Sequence, residues 1–324
     1  MNGNKEVGRE VSLISDDRLQ ADHGPAATKI HKAGFVAIVG APNAGKSTLL
    51  NRLLGEKVAI VTAKPQTTRH RILGVMTEPG AQLVFWDTPG LHDPDKTLLN
   101  QEMMNRALAA LEDSDLSLWV VDALKRGREH RTALEVVTAN KKRPLIVALN
   151  KVDAEPDKAK LLPLIQEIQA AAEPRVIIPV SAKTGDGLGP LIEEIIARLP
   201  ENPPFYPEDT LTDQPERVIA AEMVREAVFK LTSQEIPYST AVTIDEFKEE
   251  PTIINIAATI HVEKESQKGV IIGKGGAMLK KIGQTARLNI ERLVGGRVFL
   301  KLFVRTTRDW SKKKSTLLEF GYGD

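Results

Sequence analysis

The sequence predicts an α/β fold, a mostly parallel sheet with helices on both faces, followed by a smaller α+β unit. Three observations carry this prediction. From Gly34 to Leu199, short apolar runs of strand length alternate with stretches of helical spacing. The alternation stops at PENPPFYPEDTLTD (200–213), which holds four prolines and several acids and reads as a boundary loop. Beyond it the order changes to helix–strand–strand–helix–helix–strand over roughly 110 residues, enough for a core of its own.

The elements follow in order. Residues 1–33 are polar and unpatterned, and a disordered tail is expected there. FVAIVG (35–40), LVFWD (83–87), LSLWVVD (116–122), PLIVALN (144–150) and VIIPVS (176–181) are apolar runs that suit buried parallel strands. Between them, Lys46–Leu54, Leu98–Leu111, His130–Ala139, Lys158–Ala171 and Leu191–Leu199 have helical spacing. These place the first domain at 34–200 and a linker at 201–214. In the second domain, 215–324, Pro215 opens a helix to Leu231. TAVTIDEF and TIINIAATIHVE read as strands, Val270–Ile290 as a helix interrupted by glycines, and RVFLKLFVR (297–305) as a last strand.

Composition narrows the chemistry. The 324 residues are 42% hydrophobic and 27% charged, as in a soluble globular chain. The absence of cysteine excludes disulfides, thiolate metal sites and a cysteine nucleophile. No apolar run reaches the ~18 residues a membrane span needs. The N-terminus lacks an apolar signal core, so a cytoplasmic location is expected. The net charge of +1 hides an asymmetry: residues 264–314 carry 14 Lys/Arg and 3 Asp/Glu, a net of +11, and the remainder carries −10.

Gly40-Ala41-Pro42-Asn43-Ala44-Gly45-Lys46-Ser47, followed by Thr48, matches the phosphate-binding loop GxxxxGK[ST] between a strand and a helix. Small residues let backbone N–H groups curl around phosphate oxygens. Lys46 bridges the terminal phosphates, and the Ser47 hydroxyl can ligate Mg²⁺. The loop alone does not choose between kinase, ATPase and GTPase. Asp87-Thr88-Pro89-Gly90 ends a strand, where Asp87 can hold Mg²⁺ through water and Gly90 can offer its N–H to the terminal phosphate. Asn150-Lys151-Val152-Asp153 ends another. The Asp153 carboxylate can accept from guanine N1–H and its amine, a pair that adenine lacks; such charge-assisted bonds are each worth roughly 1.5–3 kcal/mol. Ser181-Ala182-Lys183 can supply a backbone N–H to the guanine oxygen.

On these motifs, residues 34–199 resemble the translation-factor-type branch of the GTPases. The resemblance implies GTP hydrolysis with Mg²⁺. It places a switch threonine in Pro65-Gln66-Thr67-Thr68-Arg69, with Thr68 the first candidate for Mg²⁺ and the γ-phosphate and Thr67 the second. One position departs from Ras-type GTPases: the residue after Gly90 is Leu91, which cannot orient water as glutamine does. Asn43 resembles the asparagine that helps hold K⁺ in potassium-stimulated members; shaping the turn is its alternative role. No catalytic residue beyond these candidates is assigned, and His92 and Arg69 are expected to be solvated loop residues.

In the second domain Gly273-Lys274-Gly275-Gly276 forms a GxxG loop between apolar segments. Glycines allow close backbone approach and a helix N-terminus favours phosphate. Together with the element order and the local +11 charge, the loop resembles that of a type II KH domain, which clamps single-stranded RNA. Carried over by position, Gly273, Lys274, Gly275 and Gly276 are the clamp, and Lys280 and Lys281 are phosphate contacts.

One GTPase followed by one KH domain, with PEDTLTD (207–213) at the junction, resembles the Era family of bacterial GTPases over residues 34–322. The resemblance implies GTP/GDP switching, binding near the 3′ end of small-subunit (16S) ribosomal RNA, assistance to assembly of that subunit, and peripheral contact with the inner membrane. The alternatives are a GTPase of RNA modification or cell-cycle signalling whose second domain binds a protein, an RNA-binding module with an idle nucleotide site, and a membrane-remodelling GTPase.

Overall fold

A computed structural model describes residues 31–92, 97–125, 127–140, 142–233 and 235–322. The expected tail lies outside the described residues except at its end, where the structure corrects the boundary. Strand β1 is Lys32–Val39, so Lys32 and Ala33 are already strand; Lys32 pairs with Ala81 and bridges to Glu201.

The first sheet has six strands, ordered β2 (Ile72–Glu78), β3 (Ala81–Asp87), β1, β4 (Leu116–Asp122), β5 (Leu145–Asn150), β6 (Val176–Pro179). All neighbours are parallel except β2, which runs antiparallel to β3. Every residue of β3 and β4 is buried, as a sheet covered on both faces requires. One face packs on α1 (Lys46–Leu54) and α5 (Leu188–Arg198) through Leu49, Leu50, Leu53, Leu191 and Ile195. The other packs on α2 (Leu98–Asp113), α3 (Arg128–Ala139) and α4 (Leu162–Ala172) through Ala107, Leu111, Val137, Leu164 and Ile168.

Strand β2 was not legible as a strand. Gly74 interrupts its apolar run and Thr77 and Glu78 end it. The glycine lets α1 pack close: a Cβ there would lie 2.7 Å from Leu54 Cδ1 and 2.8 Å from Leu50 Cδ1, so both side chains would have to shift. Residues 201–214 contain no helix, and they run hydrogen-bonded along this edge. Gln82 Oε1 accepts from the Phe205 and Tyr206 N–H groups (2.7 and 3.0 Å), and Val75 N–H donates to the Leu211 carbonyl (2.8 Å).

The rest of the chain runs α6 (Glu216–Leu231), β7 (Ala241–Glu250), β8 (Ile253–Val262), α7 (Glu265–Ile272), α8 (Ala277–Val294), β9 (Val298–Thr306) and a short α9 (Lys314–Glu319). The second sheet is ordered β7-β8-β9, with β7/β8 antiparallel and β8/β9 parallel. Its inner face packs on α6 and α8 through Val224, Val228, Ile256, Ala258, Ile282 and Ile290. The expected single glycine-interrupted helix is two helices, because the loop glycines between α7 and α8 adopt positive φ.

Candidate functional site

The loop from β1 to α1 takes its shape from two glycines. Gly40 has φ 147° and Gly45 φ 101°. A Cβ on Gly40 would lie 2.2 Å from the Val120 carbonyl oxygen, and one on Gly45 2.2 Å from Asn150 Nδ2. The loop opens α1, whose first N–H groups and positive dipole end therefore face it. Lys46 is buried, and its Nζ donates to the Gly40 and Ala41 carbonyls at 3.0 Å each. Burial pulls its ammonium down to about 8, against the opposing charges of Asp87 and Glu129.

Three oxygen side chains from three separate segments meet at the start of α1. Ser47 Oγ donates to Asp87 Oδ2 (2.5 Å) and lies 2.8 Å from Thr68 Oγ1, which donates to the same carboxylate oxygen at 3.3 Å. Asp87 is fully buried, and its Oδ1 has no hydrogen-bond partner. Burial, offset in part by Lys46, Ser47 and Thr68, pushes its carboxyl up to about 6. Two hydroxyls and an under-bonded carboxylate are a donor set suited to a hard cation such as Mg²⁺. Thr67 turns away, with its hydroxyl on Thr62 Oγ1 (2.6 Å) and the Lys64 carbonyl (2.7 Å).

The other motif residues brace this cluster. Thr88 donates its hydroxyl to the Ile38 carbonyl (2.8 Å), and the N–H of Leu91 donates to the Gly40 carbonyl (2.9 Å). Gly90 packs so closely on Pro42 that a Cβ would lie 2.8 Å from its Cα. Leu91 itself is fully buried in the core, so packing accounts for a leucine there. Asn150 joins three loops: its Nδ2 donates to the Ala44 carbonyl (2.8 Å) and its Oδ1 accepts from Ala182 N–H (2.9 Å). Asp153 Oδ1 accepts from Ser181 Oγ (2.8 Å), and the Lys183 carbonyl accepts from Arg52 (2.6 Å). Asn43, at φ 62°, donates from Nδ2 to the Ala63 carbonyl (3.1 Å).

A cleft of about 430 Å³ runs from Lys46, Ser47, Thr48 and Thr68 to Lys151. Pro42, Asn43, Gly45, Thr67 and Gly90 also line it; Asp153 and Ser181–Lys183 do not. Two residues of this neighbourhood were missed in the sequence. Asp122 receives a 2.6 Å bond from Lys151 Nζ, which also donates to the Asn43 carbonyl (2.6 Å), and Lys125 lines the cleft. The available signal was an acid at the C-terminal end of a parallel strand, the edge where ligands bind in such sheets.

Arg69 corrects an expectation. It is 1% exposed rather than solvated. Its guanidinium donates to the carbonyls of Thr240 (2.7 Å), Tyr238 (2.7 Å) and Pro237 (3.3 Å). The whole segment around Thr68 is tied to the second half of the chain. Val61 N–H and Lys57 Nζ both bond the Glu226 carboxylate (3.0 and 2.5 Å), Lys64 bonds the Phe229 and Thr232 carbonyls, and Arg225 bonds the Thr67 carbonyl. His92 sets its Nδ1 2.6 Å from the Gly90 carbonyl, while its Nε2 is buried without a partner.

In the second half, Gly273, Gly275 and Gly276 take φ of 71°, 58° and 80°, so the GxxG turn depends on glycine. It opens the 18-residue α8. Lys274, Lys280 and Lys281 are exposed. Beside the loop lies an open groove of about 530 Å³ between α8 and β9, lined by Gly276, Leu279, Lys280, Gly283, Gln284, Arg287, Leu300 and Leu302. Lys274 and Lys281 lie outside its lining. The groove's remaining residues were missed, although the helical spacing 280, 283, 284, 287 and the strand alternation 300, 302 mark them.

Comparisons with known proteins agree with both halves. A family model described as "50S ribosome-binding GTPase" matches residues 35–151, and one described as "KH domain" matches residues 235–311. The fold and the site define a P-loop GTPase carrying a KH domain. The chain is 50% identical over 293 residues to the GTPase Era of Geobacter metallireducens, covering 90% of this chain and 98% of that one. It is 44% identical to the GTPase Era of Stenotrophomonas maltophilia, covering 90% and 98%. Two crystal structures are similar over their whole length, each at 42% identity. Era in complex with MgGDPNP and nucleotides 1506–1542 of 16S ribosomal RNA has a TM-score of 0.87 and covers 91% of this chain. An Aquifex aeolicus Era variant bound to GDP and aluminium fluoride has 0.86 and covers 90%. The chain belongs to the Era family of GTPases.

Proposed function

We propose that this chain is a GTP-binding, GTP-hydrolysing switch that binds 16S ribosomal RNA near its 3′ end and assists assembly of the small ribosomal subunit. One observation carries the reading. The segment that brings Thr68 to Ser47 and Asp87 is the same segment bonded through Lys64, Thr67 and Arg69 to the half of the chain that holds the GxxG groove. The solved relative that holds both MgGDPNP and the RNA fragment supports both ligands.

In this reading the backbone of Gly40–Thr48 cradles the phosphates and Lys46 bridges the terminal pair. Phosphate charge beside it opposes the depression by burial and keeps the ammonium protonated. Ser47 and Thr68 hold Mg²⁺ directly and Asp87 through water; the ion draws charge from the transferred phosphoryl group. The Gly90 N–H faces the terminal phosphate. Asp153 reads guanine N1–H and its amine, and the Ser181–Lys183 backbone reads its oxygen. Asn150 and Lys151 hold these loops in register. Leu91 is buried and non-polar, so it does not orient the attacking water. Asn43 lines the cleft, and its amide oxygen would help hold K⁺, which would supply added charge stabilisation at the phosphates. Hydrolysis is then slow in Na⁺ and faster in K⁺ at equal ionic strength; equal rates refute the potassium role.

RNA lies in the groove, its backbone against Gly273–Gly276 and its phosphates near Lys280 and Lys281. The protein works in the cytoplasm. It makes peripheral contact with the inner membrane; no described helix is long and apolar enough to cross one. The experiment is RNA binding with GDP and with a non-hydrolysable GTP analogue, in wild type and Gly275→Asp. The reading expects nucleotide-dependent affinity in wild type, and lost RNA binding with intact GTP binding in the variant. RNA affinity indifferent to both nucleotide and variant overturns it.

A further inference from the structure

Strand β9 has two faces, and the groove uses one. Leu300 and Leu302 point to the groove side. The alternate residues Phe299, Lys301, Phe303 and Arg305 point to the outer face of the sheet. Phe299 is 56% exposed and Phe303 44%, two large aromatics on an open sheet surface. Lys301 Nζ lies 5.0 Å from the centroid of the Phe303 ring, presenting cation and ring together. On β8 the facing residues are Asn255, Ala257, Thr259 and His261, none of them acidic. The acids of this face sit on β7, where Asp245 accepts from the Thr259 hydroxyl at 2.6 Å. The outer face of β9 is thus an aromatic and basic strip with its negative neighbours on the far side.

We propose that this strip is a second RNA contact, a stacking platform for single-stranded RNA that leaves the groove over the free edge of β9. The proposal rests on RNA binding in the groove. Two features select this occupant. Phe299 and Phe303 are four residues apart, roughly 13 Å along the strand, a span for bases that are not consecutive, and Lys301 lies between them to meet a phosphate of the intervening backbone. The strip is also continuous with the groove, since both are faces of one edge strand. A protein strand added at this edge would use the β9 backbone and has no need of exposed rings alternating with cations.

The test uses the full chain and a fluorescent RNA of the 1506–1542 sequence, read by anisotropy. Phe299→Ala and Phe303→Ala are each expected to weaken binding by about tenfold and to leave GTP binding unchanged. Phe303→Tyr keeps a ring and should bind as wild type, whereas Phe303→Leu keeps apolar area only and should behave as the alanine variant. Phe303→Trp supplies a direct readout, with tryptophan emission quenched beyond the wild-type change when RNA is added. Wild-type affinity in both alanine variants, with Gly275→Asp still defective, overturns the platform and leaves the groove reading standing. Alanine variants that keep RNA affinity but lose co-sedimentation with small subunits or with phosphatidylglycerol vesicles overturn it in favour of a protein or lipid contact. A wild-type chain that binds no RNA removes both readings.

Discussion

Arg69→Met removes the charge that pins the Thr68 segment to the second half of the chain while keeping much of its side-chain volume. Two of the Arg69 hydrogen bonds are short, 2.7 Å each to the Thr240 and Tyr238 carbonyls, and the third is 3.3 Å to Pro237. The guanidinium also lies 5.6 Å from the ring centroids of Trp310 and Tyr322 and 5.9 Å from that of Phe229. Charge-assisted bonds contribute roughly 1.5–3 kcal/mol each, so the two short ones set the scale. Opposing them is the burial of the ion, whose Nε has no partner and whose basicity burial lowers. Methionine takes away both the bonds and the buried charge but strands the carbonyls. The net loss is about 3 kcal/mol, the scale of leaving the two short-bonded carbonyls without a donor at roughly 1–3 kcal/mol each. With a urea m-value of about 3 kcal/mol/M, the midpoint falls by about 1 M. Trp310, which donates its indole N–H to the Ser239 carbonyl (3.0 Å) beside this contact, reports the transition by fluorescence. Arg69→Lys, a single point donor, should fall between the two. A midpoint that does not move in the methionine variant refutes the argument that Arg69 holds the two halves together.

Other expectations follow from the same contacts. His70 stacks on Tyr322 (centroids 4.7 Å) and faces Arg106 Nη1 at 3.2 Å, and burial above all holds its imidazole down to about 4. Its folded value lies below its unfolded value, so the unfolded chain takes the proton first. Stability present above about pH 6.5 is lost as pH falls toward about 4, by about 3 kcal/mol at most; denaturation of His70→Gln should lack this part of the acid slope, and equal slopes refute the assignment. Mg²⁺ affinity, measured by calorimetry with GTP analogue present, should decline as pH falls through about 6, where Asp87 takes up a proton. A wild-type affinity that is flat across that range contradicts the ligand role. Salt should weaken RNA binding far more than GTP binding, and Lys280→Ala should reduce the salt slope by roughly 0.7 for one lost phosphate contact; identical slopes in variant and wild type count against Lys280.

Much of this protein is local and therefore legible. A phosphate loop needs glycines at fixed offsets between a strand and a helix, all within a few residues, so Gly40–Ser47 and α1 could be read directly. The same holds for the GxxG turn and for strands buried on both faces. Strand β2 was not legible because its glycine serves α1, a partner outside its own pattern. Thr67 and Thr68 could not be separated by spacing, since adjacent loop residues share every local feature. The fold turns one toward Asp87 and the other toward Thr62 and Lys64.

The sequence by itself determined the class of ligand: which loops carry glycine, which strand ends carry Asp87, Asn150 and Asp153, and where basic charge collects. Only the tertiary structure decided which of those residues meet. Asn150 reaches the Ala44 carbonyl across 106 positions of chain, and Arg69 reaches the Thr240 carbonyl across 171. Such contacts leave no periodic trace. An arginine in a polar loop looks solvated until carbonyls and aromatic rings from distant segments close around it, and burial then turns a surface charge into the bond between the switch segment and the KH domain.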